Sequence, residues 1–197
     1  NDGIYEIRID NQTVALISFS ENENILEIDE FEVFKSFQGQ KIGTQVVNLI
    51  KIKIMRTALI TGATSGIGQA TARVLAKKFK LILCGRREEK LNELAKELNL
   101  ITEVTTLKFD VSKKDEVFNA INSLDENWET VDVLINNAGN AHGLATFQDA
   151  SIDDLEAMID GNVKGIIYVT KAVLPLMNNG SNKHILNISS IAGKQVY

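Results

Sequence analysis

Residues 61–68 read TGATSGIG, a glycine-rich turn set between a short apolar run at 57–60 and a helical pattern at 69–79. A strand that feeds such a turn and then a helix constrains the chain more than any other feature, because that is how an α/β sheet receives the pyrophosphate of a dinucleotide. Gly62 permits a tight exit from the strand, Gly66 lets the backbone approach phosphate oxygens with no Cβ in the way, and Gly68 allows close packing of helix on strand. Ser65 and Ile67 belong to the same turn, and the free amides and dipole of the following helix face the anion. An ordinary loop between a strand and a helix is also glycine-rich, so the downstream chain has to decide.

Downstream, strand and helix patterns alternate. Short apolar runs at 57–60, 81–84, 104–109, 131–135 and 184–188 read as strands, with helical periodicity over 69–79, 88–98, 113–124 and 152–177. Such alternation predicts right-handed crossovers and a doubly wound, parallel α/β sheet. The net charge of −5 is spread over mixed Lys and Glu, which leaves no basic stripe for nucleic acid. No apolar stretch approaches the roughly 20 residues of a membrane span, and the N-terminus lacks signal-peptide character, so the expected location is the cytoplasm. The single cysteine, Cys84, lies in an apolar run and reads as a small buried hydrophobe of a reducing compartment. Two histidines, His142 in a loop and His184 at a strand start, make no metal-ligand cluster with it.

Before residue 55 the pattern is different. Runs at 4–9 and 13–19 read as antiparallel strands joined by Asp10, Asn11 and Gln12, and a further strand-like run at 26–34 leads to FQGQKIGT at 37–44 and an apolar-periodic stretch at 45–54. This strand, loop and helix resemble the acetyl-CoA segment of GNAT-type N-acetyltransferases, whose Q/R-x-x-G-x-G loop offers amides to a pyrophosphate. Gln38 and Gly43 match, while Lys41 stands where the first motif glycine is usual. The resemblance implies CoA binding at 38–44, with Glu27 and Glu30 as available acids; a generic strand–loop–helix is the alternative. The expected domains are 1–54, a partial GNAT-like α+β segment with antiparallel strands, and 55–197. The change of pattern suggests an unusual junction of two incomplete parents, either a disrupted reading frame or a chimera, and no Pro-, Gly- or Ser-rich linker separates them.

The second part resembles the short-chain dehydrogenase/reductase family. Besides TGATSGIG it carries VDVLINNAG at 131–139, MIDGNVKG at 158–165 and HILNISSIAG at 184–193, in the family's order. Within the family it looks most like NADP-dependent dehydrogenases of serine and other 3-hydroxy acids. The resemblance implies a Rossmann-like fold, a small hydroxy acid or alcohol as substrate, and family-like homo-oligomers.

The resemblance also distributes roles. Arg86 and Arg87 follow the second strand where the adenosine ribose is met, and a basic residue there pairs with a 2′-phosphate, which favours NADP over NAD. Arg86 is the stronger candidate of the two; the alternative is a pair of solvated charges beside Glu88 and Glu89. Asp110 and Val111 border the adenine, with capping of the next helix as a second role for Asp110. Asn137, Ala138 and Gly139 make room for the ribose and nicotinamide. Asn162 is matched to the asparagine that kinks its helix and holds a water in the proton relay. Ser190, with Ser189 as the alternative, is matched to the serine that orients the substrate oxygen. The proton donor should be a tyrosine thirteen residues after Ser190 with a lysine four further on, whereas Tyr197 follows Ser190 by seven. The expectation is therefore a chain cut before YxxxK, a cofactor-binding part that is inactive as it stands. A non-catalytic dinucleotide-binding chimera and a CoA-dependent acetyltransferase fragment are the competing readings.

Overall fold

The computed structural model describes the backbone of strands within residues 2–33, and residues 55–142, 145–177 and 182–190 in full. The chain divides into two compact units, Asn1–Met55 and Arg56–Tyr197. In the first, β1 (Asp2–Ile9), β2 (Gln12–Asn22) and β3 (Ile25–Val33) form an antiparallel meander, with Ile4 opposite Ser18 and Ile17 opposite Phe31. β2 runs past the expected 13–19 because Ser20, Glu21 and Asn22 still have ladder partners on β3. The CoA-loop expectation at 38–44 and the helical one at 45–54 fall outside the described residues.

The second unit is a five-stranded parallel sheet in the order β6-β5-β4-β7-β8. Its strands are β4 (Arg56–Thr61), β5 (Phe79–Gly85), β6 (Val104–Lys108), β7 (Val133–Asn136) and β8 (His184–Asn187). Helices α1 (Gly66–Leu75), α2 (Glu88–Leu98) and α3 (Lys114–Asn122) connect them, and α4 (Ile152–Ile159) and α5 (Gly165–Val173) lie between β7 and β8. Alternate residues of the central strands serve opposite faces. Leu59, Ile82 and Leu134 pack with Phe109, Val117, Trp128 and Val169, whereas Ala58, Ile60, Leu81 and Leu83 pack with Ala72, Leu91, Leu94 and Leu98. Burial on both faces explains why these strands read as unbroken apolar runs, and each buried Leu or Ile contributes about 1.5–3 kcal/mol. Among the described residues no helix is long and apolar enough to cross a membrane.

Several expected boundaries move, and the strand expected at 131–135 is Val133–Asn136. The first helix starts at Gly66, inside the glycine turn, and ends at Leu75, because Phe79 and Lys80 join β5 opposite Arg56 and Thr57. The single helix expected over 152–177 is α4, a π-helical stretch Asp160–Lys164, α5, and a 3₁₀ turn Leu174–Met177. Pro175, which has no amide hydrogen to donate, falls in that last turn. At the N-terminal edge of the sheet, Asp132 accepts from the Thr57 amide at 2.7 Å and Lys183 Nζ at 2.8 Å, tying β4 to the approaches of β7 and β8.

Candidate functional site

The carboxyl ends of β4, β5, β7 and β8 open into a cleft of about 1390 Å³. Its floor is the junction of two motifs. Thr61 Oγ1 accepts from the amides of Asn137 and Ala138, both at 3.0 Å, and donates to the Ile135 carbonyl at 3.4 Å. Asn137 Nδ2 donates to the carbonyls of Thr61 at 2.9 Å and Gly62 at 3.2 Å. Every hydrogen-bonding capacity of the Thr61 hydroxyl is used, so the glycine turn and the NNAG segment hold each other in place.

The three glycines then separate by role. At Gly62, with φ +66, a Cβ would stand 2.8 Å from Asn137 Nδ2 and 2.9 Å from Ala138 Cα. A Cβ on Gly68 would overlap Asn137 Nδ2 and the Gly62 carbonyl, so Gly68 serves the approach of α1 to the turn more than to a strand. Gly66, at φ +54, has nothing within 4 Å of its Cβ position. Its face is open, as an anion cradle requires.

On the β5–β6 side, Arg87 lies on the turn. Its Nη2 donates to Thr64 Oγ1 at 2.7 Å and to Ser65 Oγ at 2.8 Å, and its Nε to Thr64 Oγ1 at 3.2 Å. Arg86 extends into solvent and meets Asp110 Oδ2 at 3.4 Å. Glu88 pairs instead with Lys108, at 2.9 Å. Burial works to raise the Asp110 carboxyl, but hydrogen bonds from the Ser112 amide and hydroxyl, together with Arg86, outweigh it and hold the carboxyl below its ordinary value. Asp110 does not cap α3. Lys113 stands at the N-cap without a side-chain bond, and Asp110 is occupied by Ser112. Val111 packs beside Gly165, whose Cβ would lie 2.9 Å from Val111 Cγ2.

On the β7–β8 side, Asn162 projects from the π-helical stretch. Its Oδ1 accepts from the Asn140 amide and its Nδ2 donates to the Asn140 carbonyl, both at 2.8 Å. The side-chain amide thus pairs with one residue's backbone as a peptide would, and a Cβ on Gly139 would crowd Asn162 Oδ1 at 2.9 Å. Ser189 and Ser190 line the same cleft. Beneath them Asn136, 2% exposed, donates to Asn187 Oδ1 at 2.9 Å and Thr170 Oγ1 at 3.0 Å, linking the strands and α5. Tyr197 lies outside the described residues.

The cleft therefore brings together Gly62, Ser65, Ile67, Arg86, Arg87, Asp110, Val111, Asn137, Ala138, Gly139, Asn162 and Ser190, with Gly66 and Gly68 shaping the turn behind it. Sequence reasoning missed Thr61, Thr64, Asn140 and Asn187. Thr61 and Thr64 flank Gly62 in the motif itself and had a signal to find; Asn140 and Asn187 had none. Cys84 is fully buried, and burial pushes its thiol far above the ordinary range, which makes it inert. Among the described residues no group of His, Cys, Asp and Glu is arranged to hold a metal.

A five-stranded parallel sheet flanked by helices, with an open glycine turn at its carboxyl edge, defines a Rossmann-like α/β protein. The chain belongs to the short-chain dehydrogenase family, whose model, described as short chain dehydrogenase, matches residues 56–197. It is 47% identical over 146 residues to an NADP-dependent 3-hydroxy acid dehydrogenase of Schizosaccharomyces pombe, covering 72% of this chain and 56% of the relative. It is 46% identical over 141 residues to sulfoacetaldehyde reductase 2 of Chromohalobacter salexigens, covering 71% and 56%. Among solved structures, serine dehydrogenase from Escherichia coli superposes with TM-score 0.64 at 41% identity, covering 72% of this chain and 65% of that one. A closed form of serine dehydrogenase complexed with NADP+ matches with the same score and identity, covering 72% and 56%. The chain spans 56% of the length of these curated relatives.

Proposed function

We propose that this chain provides the dinucleotide-binding part of an NADP-dependent oxidoreductase acting on a small hydroxy acid or alcohol. The observation that carries the reading is Arg87. Its guanidinium is fastened to the phosphate turn by Thr64 and Ser65, and GRR at 85–87 puts no carboxylate at the end of β5 to meet a ribose 2′-hydroxyl. Arg87 takes the leading place at the 2′-phosphate, with Arg86 at the rim beside Asp110. The donor set suits the group: the turn Gly62–Gly68 for the pyrophosphate, Asp110 and Val111 for the adenine, and Asn137, Ala138 and Gly139 for the nicotinamide ribose. When bound, the cofactor supplies a hydride acceptor or donor.

The chain's own residues bind and orient. In this reading Ser190, which lines the cleft, holds the substrate oxygen, and Asn162, which lines it too, fixes the adjoining wall. Neither takes a proton near neutral pH; the family pattern gives that task to a YxxxK tyrosine, which no described residue supplies. Relatives named for 3-hydroxy acids and serine make those the first substrates to try. Self-association belongs to the same proposal and is open to sedimentation. CoA binding at 38–44 gains no support from the relatives.

Calorimetric titration with NADP+ and NAD+ tests the reading. NADP+ should bind at least about tenfold tighter, a preference that Arg87→Ala removes and Arg86→Ala only weakens. Equal affinity of the unaltered protein for the two dinucleotides would overturn it.

A further inference from the structure

A chain of polar side chains runs outward from Asn162. Asn140, whose backbone Asn162 grips, turns its own Nδ2 between the Ala157 carbonyl at 3.2 Å and His142 Nε2 at 3.1 Å. The imidazole's other nitrogen, Nδ1, is 3.3 Å from Asp154 Oδ1. His142 and Met158 border both the main cleft and a side pocket of about 410 Å³.

Only one set of proton positions satisfies this chain. A carbonyl oxygen only accepts, so the nitrogen end of the Asn140 amide must face Ala157. The same NH₂ group then meets His142 Nε2, which must be the accepting nitrogen and carry no hydrogen. The imidazole proton therefore sits on Nδ1 and points at the Asp154 carboxylate. Asn140 Oδ1 is left buried without a partner, against Gly161, where an added Cβ would lie 3.2 Å away. Ala157 and His142 together hold this amide orientation although it leaves that buried oxygen unpaired.

We infer that His142, as the neutral Nδ1–H tautomer held by Asp154, is a positioning residue that acts through Asn140 to set Asn162 at the nicotinamide end of the cleft. The inference rests on the dinucleotide reading above for the ligand, and on geometry alone for the tautomer. Asp154 orients the ring and selects the tautomer. His142 then supplies the acceptor that Asn140 needs, and the Asn140 backbone delivers the constraint to Asn162. The effect is confined to the β7–β8 side, because Arg87 and the glycine turn share none of these bonds.

Two measurements test it. Nitrogen NMR on the free protein, with His142→Gln to separate its signals from those of His184, the second of two histidines, should show Nδ1 protonated and Nε2 bare. An Nε2–H tautomer would overturn the inference. Calorimetry should compare NADP+ with 2′-phospho-ADP-ribose, which lacks the nicotinamide. His142→Ala should weaken NADP+ roughly three- to tenfold and leave the truncated ligand unchanged, while His142→Gln, whose Oε1 replaces the acceptor, should recover most of the loss. Equal weakening of both ligands would reduce His142 to a general structural role and sink the idea. If the unaltered protein bound neither ligand, the dinucleotide reading would fall, and the tautomer would still decide the side-chain arrangement.

Discussion

β5 and β8 look alike in sequence, LILC and HILN, yet the structure treats them oppositely. Leu81, Ile82 and Leu83 are wholly buried, whereas Ile185 and Leu186 are 41% and 46% exposed. β5 lies between β4 and β6 and is sandwiched by Leu91 and Leu94 on one face and Phe109 and Trp128 on the other. β8 is held by its ladder to β7 and by polar pins at each end, Lys183 on Asp132 and Asn187 on Asn136. An apolar run thus specifies a strand, while what fastens that strand is a separate matter. Among the described residues, burial fastens β5, while directional bonds fasten β8.

The comparison can be broken at several points. Ile82→Ala should cost the most, about 2–5 kcal/mol by chemical denaturation, since the cavity would open between packed layers. Asp132→Asn weakens the hold on Lys183 and should cost about 1–3 kcal/mol, with hydrogen exchange accelerating in β8 before β5. Cys84 gives a pH signature of the buried side. Its folded-state pKa is raised, so above the unfolded thiol value of about 8.5 the unfolded chain releases a proton that the folded chain keeps, and stability should fall by up to about 1.4 kcal/mol per pH unit. Denaturation midpoints from pH 7 to 10, with Cys84→Ala flattening the decline, would show it. The smallest effect should come from Ile185→Ala, under about 1 kcal/mol. A loss there equal to that of Ile82→Ala would erase the distinction between the two strands.

Much of this was legible in the sequence because its causes are local. The glycine turn, the NNAG segment and the alternation of apolar runs with helical periods each follow from a few adjacent residues, and five parallel strands result. Two kinds of information were not local. Arg86 and Arg87 are neighbours with the same charge, and only the hydroxyls of Thr64 and Ser65, brought over from another turn, draw Arg87 onto the glycine turn. The kink implied at Asn162 falls in the π-helical stretch Asp160–Lys164, but the extent of that stretch was not readable, because the close fit of Gly161 to Asn140 and of Gly165 to Val111 is something periodicity cannot register. The capping role offered for Asp110 failed for a local reason, since Ser112 two residues on holds the carboxylate.

The π-helical stretch Asp160–Lys164 acts as a vernier. A wider turn takes up roughly one residue more than an α-helix needs for the same advance, so the side-chain stripes of α4 and α5 are indexed apart by about 100°. Each segment can therefore match a different neighbour: α4 the loop carrying Asn140 and His142, α5 the sheet through Val169 and Val173. Removing one residue from this stretch would make the helix more regular and the protein worse, because only one of the two faces could then stay in register, and Asn162 sits where the two meet.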